Sequence, residues 1–114
     1  MHELSIAHSI LSIAAKSFPA GTKGYISSVT LQIGELSGVE IDSLMFAFES
    51  IKDDTILSSA TLDINMVRGE AQCSDCGTTF HMPSFGTACP ACGSYLAGIK
   101  AGKEMRVVSL EVEE

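Results

Sequence analysis

The sequence predicts an α+β fold: two helices on a three-stranded sheet, with a small cysteine-bearing subdomain inserted between the second and third strands. Three observations predict it. Apolar residues recur at helical spacing over 3–18 and again from 40 or 41 to 51. They alternate over 26–33, 61–68 and 105–112. Between the last two strands, 70–103 is rich in Gly, Ser, Thr and Pro, poor in aliphatic residues, and carries every cysteine of the chain.

On a helical wheel, Leu4, Ile6, Ala7, Ile10, Leu11, Ile13, Ala14 and Phe18 fill about half the circumference of the first helix. Ser5, His8, Ser9, Ser12 and Lys16 form the opposing polar stripe. Pro19, Gly21 and Gly24 end the helix. In the first strand, Val29, Leu31 and Ile33 face one way and Ser28, Thr30 and Gln32 the other, the pattern of a half-buried strand. Gly34-Glu35-Leu36-Ser37-Gly38 is a turn. The second helix gathers Ile41, Leu44, Met45, Phe48 and Ile51 on one face. Leu62, Ile64 and Met66 alternate in the second strand, and Val108, Leu110 and Val112 in the third. The domain division expected from these elements is a body of 1–69 with 104–114, and a subdomain of 70–103 too poor in apolar residues to build much of a core, which therefore needs a staple.

Composition narrows the function. The 114 residues carry 7 Lys+Arg against 14 Asp+Glu, a formal charge of −7. With no basic surplus, nucleic-acid binding and a membrane-surface role are disfavoured. Hydrophobic residues make up 46% of the chain, so it is a folded domain rather than an acidic tail. Met1-His2-Glu3 lacks the positive start of a secretory signal, and no apolar run approaches the length of a transmembrane helix. The expected location is the cytoplasm, where thiols stay reduced and grouped cysteines favour metal over disulfides.

The cysteines form two knuckles, Cys73-Ser74-Asp75-Cys76-Gly77 and Cys89-Pro90-Ala91-Cys92-Gly93, with twelve residues from Gly77 to Ala88. Each Cys-x-x-Cys turns two sulfurs to one side, and the glycine after it permits the positive φ such a turn needs. Two facing knuckles give a closed S4 site of zinc-ribbon type. With no open position for water, Zn2+ held there is structural. The same pattern also serves Fe–S4 electron carriers, which a red colour in the pure protein would reveal.

The N-terminus offers a different donor set. Histidine at position 2 is expected to leave Met1 in place. The Met1 amine, the backbone nitrogens of His2 and Glu3, and the His2 imidazole can close adjacent chelate rings. Four nitrogens in a plane suit Ni(II) or Cu(II) rather than zinc. Such binding strengthens as pH rises, because the amides must lose protons. A solvated terminus with an incidental histidine is the plainer reading of the same residues.

Together these segments resemble the HypA/HybF family of hydrogenase nickel-incorporation proteins, over essentially the whole chain. The resemblance is carried by Met1-His2-Glu3-Leu4-Ser5-Ile6-Ala7, Ile33-Gly34-Glu35-Leu36-Ser37-Gly38-Val39, Phe46-Ala47-Phe48-Glu49, both knuckles, and Gly102-Lys103-Glu104-Met105-Arg106-Val107. It implies a metallochaperone rather than an enzyme. It assigns His2 as the nickel imidazole, Met1 and Glu3 as backbone donors, and Glu40 as an assisting acid. It assigns Cys73, Cys76, Cys89 and Cys92 to structural zinc. It implies a HypB-type GTPase and the [NiFe]-hydrogenase large-subunit precursor as partners. It leaves monomer and homodimer both open, and urease as a second client.

Other readings follow from the residues alone. A zinc-ribbon protein-interaction module is the main alternative, and an Fe–S4 carrier the next. Glu40, at a helix start, is also an ordinary partner of the helix dipole. His8 reads as a solvated helix residue. His81, beside Phe80, reads as a surface residue unless it donates to a cysteine sulfur or ligates a second metal. With four thiolates and Zn2+ bound, the formal charge moves to about −9, a surface that attracts cations and basic protein patches.

Overall fold

A computed structural model describes residues 3–19 and 21–114. The elements run α1 (Glu3–Ser17), β1 (Tyr25–Gly34), α2 (Ile41–Ile51), β2 (Thr61–Val67), β3 (Glu70–Cys73), β4 (Thr79–His81), β5 (Ala97–Ala101) and β6 (Met105–Glu113). The two helices and three long strands fall where the periodicities predict them, within a residue at most ends. Strands order as β2-β1-β6 in one sheet and β4-β3-β5 in a second. The fold is α+β, with the cysteine-bearing segment inserted between β2 and β6.

The chain forms two compact units. One comprises the chain up to Leu31, Val39–Ile64 and Val107–Glu114. Its core is aliphatic with one aromatic: Ile10, Ile26, Leu31, Leu44, Phe48 and Leu57 are fully buried. Burying each such side chain contributes about 1.5–3 kcal/mol. The buried stripe of α1 is narrower than its apolar arc, because only Ile6, Ala7, Ile10 and Ala14 are covered. Leu4 and Ile13 are exposed. In α2, Glu40 adopts extended backbone at the N-cap, and its carboxylate accepts the Asp42 amide at 3.2 Å. This satisfies one of the amides a helix start leaves unpaired.

The edge strands depart from simple alternation. Met66 on β2 and Val108 and Val112 on β6 are exposed. Only the central strand β1 is covered well enough to bury Val29, Leu31 and Ile33 completely.

The other unit comprises Gln32–Gly38 and Asn65–Arg106. It takes in the Gly34–Gly38 turn as well as the inserted segment. β3 pairs antiparallel with β4 (Ala71 opposite Phe80) and with β5 (Gln72 opposite Gly98), with a register shift between Glu70 and Ala71. The inserted segment has a small core of its own. Leu36, Ala71, Cys73, Phe80, Met82 and Cys89 form a buried cluster, against which Ala97 and Ile99 pack. The cluster is small, and two of its six members are cysteines. Its largest aliphatic member, Leu36, comes from the turn after β1, which local composition of 70–103 could not reveal.

That turn enters closely. The Leu36 amide donates to the Gly102 carbonyl at 2.7 Å, and the Glu35 amide to Val67 at 2.9 Å. A Cβ on Gly34 would lie 1.8 Å from the Gly102 oxygen, so the approach requires glycine.

Candidate metal centre

The two cysteine knuckles are built alike. In the first, the Gly77 amide donates to the Cys73 carbonyl at 3.0 Å and the Cys73 amide to Thr78 at 2.9 Å. In the second, the Gly93 amide donates to Cys89 at 2.8 Å and the Cys89 amide to Ser94 at 2.8 Å. Gly77 and Gly93 have φ of 77° and 78°, the left-handed turn expected from the sequence. The Ser74 amide donates to Leu96 at 2.7 Å, which brings the two knuckles face to face.

All four sulfurs lie within 4.8 Å of one another. Pairs form across the knuckles: Cys73 Sγ is 3.5 Å from Cys92 Sγ, and Cys76 Sγ is 3.6 Å from Cys89 Sγ. Tetrahedral Zn–S bonds of about 2.3 Å place sulfurs about 3.8 Å apart. The spacing therefore fits a zinc S4 cage. Cys73 and Cys89 are buried, while Cys76 and Cys92 are exposed.

The electrostatics agree. The Thr78 hydroxyl, then its amide, lower the Cys76 thiol from 9.0 to about 6. The Ser94 amide favours the Cys92 thiolate. The Cys73 sulfur, desolvation and the other two sulfurs outweigh it and push Cys92 up to about 12. Four sulfurs this close cannot all ionise freely. A divalent cation among them removes the conflict.

At the opposite end of the sequence, Met1 and His2 lie outside the described residues. Glu3 and Glu40 come together: Glu3 Oε2 accepts the Glu40 amide at 3.2 Å. The start of α1 and the N-cap of α2 thus share a hydrogen bond across 37 positions of sequence. Glu40 uses one carboxylate oxygen for its own cap. His8 is exposed, as expected of a solvated helix residue. His81 makes a contact the sequence did not reveal: its Nε2 lies 2.7 Å from Glu35 Oε1.

The family model for hydrogenase/urease nickel incorporation, metallochaperone HypA, matches residues 1–112. The chain belongs to the HypA family. Curated relatives agree across the full length. The hydrogenase maturation factor HypA of Geobacter metallireducens is 44% identical over 113 residues, 99% of this chain and 100% of its own. That of Parabacteroides distasonis is 42% identical over 114 residues, 100% of this chain and 99% of its own. The solution structure of the Ni metallochaperone HypA from Helicobacter pylori matches with TM-score 0.65 at 30% identity, covering 98% of this chain and 97% of that one. A second HypA solution structure gives TM-score 0.69 at 30% identity, covering 99% and 97%. The family is one of nickel-handling metallochaperones and hydrogenase maturation factors. Among the described residues, no helix is long and apolar enough to cross a membrane.

Proposed function

We propose that this protein carries Ni(II) at its N-terminus and delivers it to the [NiFe]-hydrogenase large-subunit precursor with a HypB-type GTPase, in the cytoplasm. The reading assigns the His2 imidazole, the Met1 amine and the backbone nitrogens of His2 and Glu3 to nickel, with Glu40 assisting. It assigns structural Zn2+ to Cys73, Cys76, Cys89 and Cys92 in the 70–103 subdomain, and the nickel function to the body of 1–69 and 104–114. It leaves chemistry on a substrate to the hydrogenase, so the protein itself is not an enzyme.

The supporting observation is the Glu3–Glu40 hydrogen bond at 3.2 Å. It engages one oxygen of the Glu3 carboxylate with protein, which accords with backbone nitrogen as that residue's donor. It also fixes Glu40 beside the residue that follows Met1-His2. The division of labour has a physical basis. A chain end with one imidazole and backbone nitrogens can release a metal. A closed S4 cage releases zinc with difficulty and serves as a staple.

Absorption spectroscopy of the zinc-loaded protein with Ni(II) tests this. The expected result is a square-planar nickel band that strengthens as pH rises and is absent in His2→Ala. An octahedral spectrum unaffected by His2→Ala would overturn the assignment.

A further inference from the structure

The helix-bearing unit carries an apolar groove on its surface. It has a volume of about 480 Å³ and is lined by Glu3, Leu4, Ser43, Phe46, Ala47 and Ser50. Phe46 is 75% exposed and Leu4 52% exposed, whereas Leu44 and Phe48, on either side of Phe46, are fully buried. Helix α2 therefore anchors its unit with one face and presents an aromatic ring on the other. An exposed aromatic beside an exposed leucine in a concave surface marks a contact site.

The surroundings define what fits there. Asp42 lies one turn before Phe46 on α2 and Glu49 one turn after, both exposed, and Glu3 lies in the groove itself. Lys52, the nearby cation, is drawn inward. Its Nζ donates to the Ala60 carbonyl at 3.1 Å and lies 5.8 Å from the Phe48 ring centroid, and its ion pair leaves Glu49 56% exposed. The same polarity holds for the whole unit. It has only Lys16, Lys23 and Lys52 against ten Asp+Glu, so it carries the full formal charge of −7. The cysteine-bearing unit is balanced, four of each sign.

We propose that this groove docks an amphipathic segment of a protein partner, with apolar side chains that cover Phe46 and Leu4 and flanking lysines or arginines that meet Glu3, Asp42 and Glu49. A second copy of this chain would bring like charges face to face. An anionic lipid surface would be repelled. The inference rests on the nickel reading in one respect: Glu3 lines the groove, so a docked partner lies beside the proposed nickel ligands. Helix-in-groove recognition through apolar anchors is the matching mode.

The test is fluorescence anisotropy of the zinc-loaded full-length protein with a labelled amphipathic leucine–lysine helical peptide. A leucine–glutamate peptide of the same pattern is the control. Saturable binding of the lysine peptide is expected, weakened about tenfold or more by Phe46→Ser and by the double change Asp42→Lys with Glu49→Lys. Val108→Ser, an exposed change on β6, leaves it unaltered. Thermal unfolding of each variant confirms that it is folded. Equal binding by Phe46→Ser, equal binding of the glutamate peptide, or no saturable binding overturns the proposal. So does self-association of the wild type that Phe46→Ser abolishes, which assigns the groove to a second copy. His2→Ala separates this idea from the nickel reading. Peptide binding is expected to persist when nickel binding is lost, and nickel binding that survives His2→Ala sinks the nickel assignment alone.

Discussion

His81 Nε2 lies 2.7 Å from Glu35 Oε1, and the same oxygen accepts the Gly69 amide at 2.7 Å. One carboxylate thereby joins the turn after β1 to the end of β4 and to the segment between β2 and β3. Leu36, the next residue, is in the buried cluster behind it. Through Glu35 and Leu36 the Gly34–Gly38 turn becomes part of the cysteine-bearing unit.

This carboxylate makes stability pH-dependent. The Gly69 amide first, and then the His81 hydrogen bond, hold the Glu35 carboxyl below its ordinary 4.5. A depressed carboxyl pKa favours the folded chain above the unfolded-state value, and that contribution is lost as pH falls through the folded-state value. Glu35→Ala is therefore expected to lower the thermal midpoint at neutral pH. Its difference from wild type should shrink once the pH drops below about 4.5. Thermal melts followed by circular dichroism at both pH values check this, and a difference that persists undiminished in acid contradicts it.

Leu36→Ala is expected to destabilise the cysteine-bearing unit by about 2–4 kcal/mol, because it empties part of a small cluster from a residue only 5% exposed. Urea unfolding of zinc-loaded protein measures the loss. A change of a few tenths of a kcal/mol would show that the turn is not part of that core.

Metal removal should loosen the same unit selectively. Cys73 and Cys89 are each 2% exposed and belong to the buried cluster, so freeing their sulfurs unpacks it. Structural zinc in small domains contributes on the order of 10 kcal/mol of apparent binding energy. With a strong chelator, amide signals of β3, β4 and β5 are expected to collapse toward random-coil positions while those of α2 persist. A cysteine-bearing unit whose spectrum is unchanged by chelation would show that metal does not hold it.

Glu40→Ala should have two separable effects. Loss of the cap is expected to cost about 0.5–1 kcal/mol. Glu40→Asn restores the cap but not the carboxylate. Nickel affinity that falls in both variants supports Glu40 as an assisting ligand. Affinity that recovers in Glu40→Asn assigns Glu40 to capping alone.

Much of this molecule was legible in its sequence. The helical periods of α1 and α2 and the Val29–Leu31–Ile33 alternation are local signals, and packing follows the strand alternation fully but covers only part of the α1 arc. The S4 site was legible because two Cys-x-x-Cys-Gly turns each fix their own geometry within five residues. Contacts distant in sequence were not. Nothing near His81 indicates Glu35, 46 positions earlier, as its partner. Nothing in 70–103 indicates that Leu36 completes its core. Exposure of Val108 and Val112 was hidden for a related reason. Alternation identifies a strand, but only its position in the sheet decides whether its apolar face is covered.

The central claim, nickel at the N-terminus with zinc elsewhere, is tested most directly by calorimetric titration of zinc-loaded wild type and His2→Ala with Ni(II) at neutral pH. The account predicts saturable nickel binding by the wild type, loss of that binding in His2→Ala, and zinc retained by both proteins throughout. Equal nickel binding by the two proteins, or nickel uptake matched by zinc release, would contradict it.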